Sequence, residues 1–437
     1  MSTVDTWILP SEDDPAGTNY NDPNSSYQNA ITYGVYGSVD RLFICFADTV
    51  EVGDGTYTVA VSNDATHPGG LLTSQYIQWI MQDAPKANPD IEFRLTLGYS
   101  ETEFSVLFAG DESTWQDQCT AYSNNVAAYL VANGYVGFDI DWEGGFAYSI
   151  TQAQFKMLFS TMGPIFQAQG LKLSMCPQYT GNLDPDTVNA YFDMVTLQVY
   201  GGASRQQFIQ AGVNADLLVY GAKFESIGHG DITPYQDAQQ AQQAMASGSY
   251  DSVVQWRINS GDFQFEQAQQ MILYQLVKGT GDSFDDGPIL GAAGNPPITT
   301  LWVRHGEVVD AIQTQNTGSF TSNNYTVPLS YTLVQHGGGG GTQDEITLDP
   351  GDTLVEISGY TGVWYGWSCV LQITLTTANG RTYGPYGTMT GSTGQTPFSQ
   401  VAPKGQSIVA FSGTTRTVPM AGGGQSAIVT SLTAEFG

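Results

Sequence analysis

Positive charge is scarce in this chain: 13 Lys and Arg stand against 42 Asp and Glu, a formal charge of -29 over 437 residues. A field of that sign repels nucleic acid and anionic lipid, which excludes both as expected partners. Charge of either sign is sparse, at 13% of residues, where about a quarter is usual. Cysteine is nearly absent. Cys45, Cys119, Cys176 and Cys369 lie far apart, and two of them fall in apolar runs where a thiol acts as a small hydrophobe, so no disulfide framework is expected. The four histidines, His67, His229, His305 and His336, show no ligand spacing, so neither metal nor cofactor is expected. No run approaches the roughly 20 apolar residues of a membrane span. The first residues, Met-Ser-Thr-Val-Asp-Thr-Trp, lack the basic and apolar regions of a secretory leader, so a cytoplasmic protein or a non-classical secretion route is expected.

What the chain does have is neutral polar and aromatic surface, with 24 Tyr and 8 Trp. Such groups suit sugars, whose hydroxyls and flat C–H faces need hydrogen bonds and rings. The most informative stretch is Tyr135–Glu143, Tyr-Val-Gly-Phe-Asp-Ile-Asp-Trp-Glu. In an extended strand alternate side chains share a face, so Asp139, Asp141 and Glu143 converge on one spot. Crowded carboxylates repel and raise one another's pKa, a cost tolerated where an acid must hold a proton near neutral pH. A calcium loop is the competing reading, since Gly144 falls at its sixth position. That loop needs a bidentate Glu at position twelve, where Ile150 stands, and the flanking residues favour a strand.

Apolar runs alternate with helix-patterned stretches through residue 278, as in a parallel α/β sheet. Eight strands are expected: Thr6–Pro10, Arg41–Asp48, Glu92–Ser100, Tyr135–Glu143, Lys172–Gln178, Met194–Gly201, Leu217–Phe224 and Ser252–Asn259. Helices are expected at Ser74–Ala84, Thr114–Ala132, Thr151–Gln169, Tyr235–Ala246 and Phe263–Lys278. Eight such repeats imply a closed (β/α)8 TIM barrel over residues 1–278, with its chemistry at the carboxyl ends of the strands.

The segment Val136-Gly137-Phe138-Asp139-Ile140-Asp141-Trp142-Glu143 resembles the Asp-x-x-Asp-x-Asp-x-Glu signature of glycoside hydrolase family 18, the chitinases and their relatives, with Val136 replacing its first acid. Gln198-Val199-Tyr200 resembles that family's Met/Gln-x-Tyr motif, and Gln255-Trp256 its pocket-floor tryptophan. Thr96-Leu97-Gly98-Tyr99-Ser100 is a weaker echo of its Ser-x-Gly-Gly, and Ser174-Met175-Cys176-Pro177-Gln178 is near its usual small-Pro ending. The resemblance implies substrate-assisted, retaining hydrolysis of β-1,4 bonds in chitin or other N-acetylglucosamine glycans. Glu143 would be the acid and then the base, Asp141 would orient the acetamide, and Asp139 would hold Asp141 or share its proton. Tyr200 would bond the acetamide oxygen, Trp256 would stack beneath the sugar, and Gln198 would contact it. The short segment between Phe224 and Ser252 has no room for a groove-walling subdomain, so an open cleft and endo attack are expected.

From residue 279 to 437 helical periodicity gives way to short alternating runs, as in an all-β domain. Phe284–Pro288, Gly306–Ala311, His336–Gly341, Thr382–Gly387 and Thr396–Ser399 resemble jacalin-related lectins, which implies a β-prism of three sheets. The family's sugar site pairs an early Gly-rich loop, here Gly279 to Gly281, with a late Gly-x-x-x-Asp loop. That late loop reads Gly413–Pro419, with Thr417 in place of the aspartate. Trp364, Tyr365 and Trp367 offer an aromatic alternative for stacking on sugar, and the prism is a candidate for assembling copies of the chain. The expected activity is a chitinase-like glycosidase with an appended lectin. An endo-β-N-acetylglucosaminidase acting on N-glycans and an inactive glycan-binding protein are its rivals.

Overall fold

The structure is a computed structural model that describes residues 2–10, 19–53, 55–61, 71–225, 234–322, 325–419 and 423–437. His67 and His229 lie outside the described residues. The chain divides into two compact units, Met1–Glu266 and Gln267–Gly437.

The first unit is a closed parallel barrel. Its strands are β1 (Val4–Ile8), β2 (Arg41–Gly53), β4 (Glu92–Leu97), β5 (Gly137–Ile140), β6 (Lys172–Met175), β7 (Met194–Gln198), β8 (Leu218–Lys223) and β9 (Val253–Trp256). Each pairs in parallel with the next, and β1 pairs with both β2 and β9, which closes the ring. All eight coincide with the apolar runs of the sequence, because a parallel strand buried on both faces must be nearly continuously apolar. One strand was not anticipated. β2 runs well past Asp48 and folds back as an antiparallel hairpin with β3 (Thr56–Val61). The Val50–Tyr57 stretch alternates too weakly against its Gly53 to Gly55 turn to announce itself.

Side chains fill the barrel, with Trp7, Phe43, Cys45, Cys176, Met194, Val219 and Val254 among them. The outer helices include Thr73–Ala87, Trp115–Ala132, Gln152–Ala168 and Pro234–Ala246. Gln152–Ala168 shows why these form where they do. Thr151 and Gln154 exchange bonds in a capping box, and Phe155, Leu158, Phe159, Met162 and Phe166 recur at helical spacing on the buried face. At the other end of the strands from the carboxyls, Arg94 is fully buried and grips Asp193 through two bonds of 2.8 and 2.6 Å. Between β8 and β9 the described residues hold one helix, Pro234–Ala246; residues 226–233 lie outside them.

Beyond the helix Phe263–Lys278, which reaches into it, and the short helix Gly287–Ala292, the second unit is antiparallel and three-sided. One sheet joins Ser283–Asp285, Ile408–Pro419 and Gln425–Phe436. The next joins Tyr325–Thr332, Val309–Ser322, Ile298–His305 and Thr342–Thr347, with His336–Gly337 beside Val309–Ser322. The third joins Thr382–Tyr386, Trp367–Thr377, Leu354–Trp364 and Ser392–Val401. All three face one core that includes Phe284, Leu301, Ile312, Ile357, Ile373, Phe411 and Val429. The His336-to-Gly341 glycines belong there: a Cβ on Gly337 or Gly341 would strike backbone or the Asp310 carboxylate.

Candidate functional site

The three carboxyls leave one strand, and the fold assigns them different surroundings. Asp139 lies within β5, in register with Thr96 of β4 and Ser174 of β6. Its two oxygens accept from Thr96 Oγ1 at 3.2 Å and Ser174 Oγ at 2.6 Å, and the Trp7 indole bonds it from across the barrel. Burial pushes its pKa up, against those donors and the Arg94 charge. Asp139 is therefore held by its neighbouring strands; no hydrogen bond joins it to Asp141 among the described residues.

The β5 ladder ends at Ile140, earlier than the expected Glu143. The chain stays extended for two more residues, because Asp141 N–H donates to Leu97 O and Trp142 N–H to Cys176 O. Alternation therefore persists. Asp141 points into the barrel, while Trp142 is wholly buried on the helix side against Phe146 and Phe155. Glu143 N–H then turns back to Asp141 O. Gly144 takes the left-handed φ of 53° that the turn needs, and a Cβ on Gly145 would land on the Glu101 carboxylate.

One side chain joins the two outer acids. Gln198 Nε2, at the end of β7, lies 3.1 Å from Asp141 Oδ1, 2.8 Å from Glu143 Oε2 and 3.2 Å from Cys176 O. Asp141 is pushed well above the ordinary carboxylate range, first by burial, then by the charges of Glu143 and Asp139. The fold thus biases Asp141 toward its protonated form.

These groups line a cavity of about 230 Å³ at the carboxyl ends of the strands, with Tyr200 and Trp256 in its wall. That volume is below the roughly 300–1,000 Å³ of drug-sized sites and suits a single sugar-sized ring. Tyr200 follows β7 in a short turn, and burial raises its phenol far above the usual value, with Cys176, Asp141 and Glu143 adding to it. Trp256 ends β9 and stacks on Phe46 at 5.9 Å. The fold thus brings together Asp141, Glu143, Gln198, Tyr200 and Trp256, and sets Asp139 one layer below.

Sequence reading missed Trp7, Phe46 and Lys223 in the same wall. Each lies near the carboxyl end of its barrel stretch, and inward parity was the available signal. Lys223 pairs in register with Trp256, and its Nζ sits 5.8 Å from the Tyr200 ring centre and 3.5 Å from Glu225. Among the described residues lining the cavity it is the one cation.

In the second unit the early glycines, Gly279 and Gly281, both take left-handed φ, and Asp282 O accepts from Thr415 N at 2.8 Å. Gly413–Pro419 is strand, not the expected loop. Its Thr-Thr-Arg-Thr-Val run is β-prone, and Thr417 is exposed and paired with Ala427. The three aromatics part company. Trp364 is buried with its indole N–H bonded to Glu307, so it is a core residue and not a stacking surface. Tyr365 is 67% exposed. Trp367 is half-buried beneath the Arg416 guanidinium at 5.6 Å.

Fold and site together define a parallel-barrel unit with clustered carboxyls, followed by a three-sheet unit. Residues 276–419, within the second unit, match the family model of the jacalin-like lectin domain. A curated relative is the agglutinin alpha chain of Artocarpus integer, 43% identical over 75 residues, 17% of this chain. The match spans about half, 52%, of that relative's length. Among solved structures, a class V chitinase from Nicotiana tobaccum aligns with 63% of this chain and 99% of its own at 13% identity and TM-score 0.46. A galactose-binding lectin from champedak, solved with Gal(beta)1,3-GalNac, aligns with 36% of this chain and 98% of its own at 25% identity and TM-score 0.25.

Proposed function

We propose that the barrel is a retaining, substrate-assisted glycosidase that cleaves β-1,4 bonds of chitin or related N-acetylglucosamine glycans by endo attack. The observation that carries this reading is the Gln198 amide, which presents Asp141 and Glu143 side by side at a one-ring cavity floored by Trp256. The substrate's 2-acetamido oxygen attacks C1 as the glycosidic bond breaks, so no protein nucleophile is required. Asp141 stores the proton of the pair. When the acetamide nitrogen gains positive charge, the Asp141 carboxylate is stabilised and the proton becomes available to Glu143, which gives it to the leaving oxygen. Glu143 then removes a proton from the incoming water. Tyr200 donates to the acetamide oxygen, a bond that strengthens in the transition state. Asp139 positions β5 through Thr96 and Ser174, and the lectin unit holds the barrel near glycan surfaces.

The decisive test is Glu143→Gln, which keeps the shape and its bond with Gln198 but removes the transferable proton. Hydrolysis of chitin oligomers should fall by at least roughly 10²–10⁴-fold while oligomer binding survives. A near wild-type rate would remove Glu143 from the role. Parallel incubation with a high-mannose glycoprotein separates chitin from N-glycan as substrate.

A further inference from the structure

We propose that Lys223 is a specificity determinant of the barrel cavity, selecting a reacting N-acetyl sugar that carries an acidic substituent, a carboxylate or a sulfate. The inference rests on the glycosidase reading above and names the substrate class of that same site. Cations are rare in this chain, 13 Lys and Arg in 437 residues. Yet one stands in the wall of the sugar-sized cavity with Trp7, Leu9 and Trp256, its side chain only 21% exposed. Placing an ammonium among rings is unfavourable unless its N–H groups find acceptors. The protein does not supply them. Glu225 Oε2 lies 3.5 Å from Lys223 Nζ, an ion pair longer than the roughly 2.7–3.2 Å of an N–H···O bond. The other Glu225 oxygen accepts from Arg257 Nε, which ties that carboxylate to the residue after Trp256. Asp237 is engaged by the Lys223 backbone N–H at 2.8 Å. Among the described residues Nζ makes no hydrogen bond, so its three charged donors face whatever enters the cavity.

Position decides which part of the sugar is read. Round the rim, Glu143 follows β5, Tyr200 follows β7, Lys223 ends β8 and Trp256 ends β9. Glu143 takes the glycosidic oxygen, Asp141 and Tyr200 the acetamide, and Trp256 the face of the ring. Lys223 lies one strand beyond Tyr200, with Nζ 5.8 Å from that ring centre. It therefore meets a substituent on ring carbons other than C1 and C2. A hydroxyl there would use one donor. A carboxylate or sulfate uses two or three and is drawn by charge as well. Two substituents supply that chemistry, a lactyl ether carboxylate at O3 and a sulfate ester at O6. The net charge of the chain does not bar them. Salt of about 0.15 M screens distant acids over about 8 Å, whereas a partly buried contact inside the cavity is screened much less.

Three tetrasaccharides make the test: chitotetraose, chitotetraose sulfated at O6, and a peptide-free strand alternating N-acetylglucosamine with N-acetylmuramic acid. The measure is a preference ratio, kcat/KM on an acidic oligomer over kcat/KM on chitotetraose, taken for the full chain and for K223M and K223R. The wild type should favour one acidic oligomer by about 10- to 100-fold, the worth of a hydrogen-bonded charge. Which oligomer it favours places the acid group at O3 or O6. K223M should bring the ratio near unity, and K223R, which keeps the charge but not the shape, should retain part of it. K223Q replaces K223M should that variant not fold. A wild type that cleaves chitotetraose at least as well as both acidic oligomers would overturn the proposal and leave the glycosidase reading standing. A preference that survives in K223M or K223Q would overturn it too, since the charge would then be read elsewhere. If the wild type cleaves none of the three, the glycosidase reading fails and the role of Lys223 with it.

Discussion

Asp141 and Asp139 are two residues apart and alike in the sequence, yet their neighbours give them different work. Asp139 has a hydroxyl on each oxygen; Asp141 has an amide shared with another acid. Asp141 therefore dominates the pH behaviour. Its folded pKa is raised, so the site favours the protonated form, and activity should fall as pH rises through that value. Asp141→Asn should lower kcat by roughly 100-fold or more and abolish or displace that alkaline limb. A pH–rate profile of kcat/KM for the two proteins, measured on one oligomer, checks both. The spacing of the acids was legible in the sequence because period two is a local property of a strand. Which acid would be satisfied was not, since Thr96 and Ser174 lie 43 and 35 residues away.

Short elements were harder to read than long ones. The hairpin tip Trp364-Tyr365-Gly366-Trp367 has left-handed φ at Tyr365 (44°) and Gly366 (89°), the signature of a two-residue type I′ turn, with Trp364 and Trp367 paired across it. Composition marks all three aromatics alike. The turn instead buries Trp364 among Val308, Cys369, Val418 and Ile428 and throws Tyr365 outward. Trp364→Ala should therefore cost about 3–5 kcal/mol, seen as a lower Tm. Tyr365→Ala should leave Tm unchanged and weaken binding on a glycan array if this tip touches sugar. Equal Tm losses in both variants would contradict the assignment.

For the molecule as a whole, the excess of buried acid sets a pH trend. Glu103, buried beside Thr49, is raised by burial to about 7 from an ordinary 4.5. Below 4.5 both folded and unfolded forms are protonated. Between 4.5 and 7 the unfolded chain ionises first, so stability is lost as pH rises, and above 7 the loss is complete. Glu103→Gln should thus melt roughly 2–4 °C above wild type at pH 8 and match it near pH 4. Deleting residues 279–437 tests the proposed targeting role. Activity on insoluble chitin should drop while activity on short soluble oligomers stays nearly constant, with Tm measured in the truncated protein. Parallel losses on both substrates would argue against targeting.

Local chemistry carried the reading furthest where it repeats. Eight apolar runs, each buried on both faces, were visible because a parallel strand leaves its burial in consecutive residues. The three carboxyls were visible because they occupy one strand. The lectin motifs are contiguous stretches of strand and turn, and some of their glycines meet neighbouring backbone, as Gly337 meets Asp310. Closure decided the rest. β1 meets β9 with Val4 beside Val253, and that contact puts Trp7 next to Trp256 and completes the cavity with Phe46 and Lys223. The Gln198 bridge depends in the same way on neighbouring strands delivering their ends to one rim. Sequence carries the period and parity of each strand, but which side chains face each other across a ring is a property of the closed ring alone.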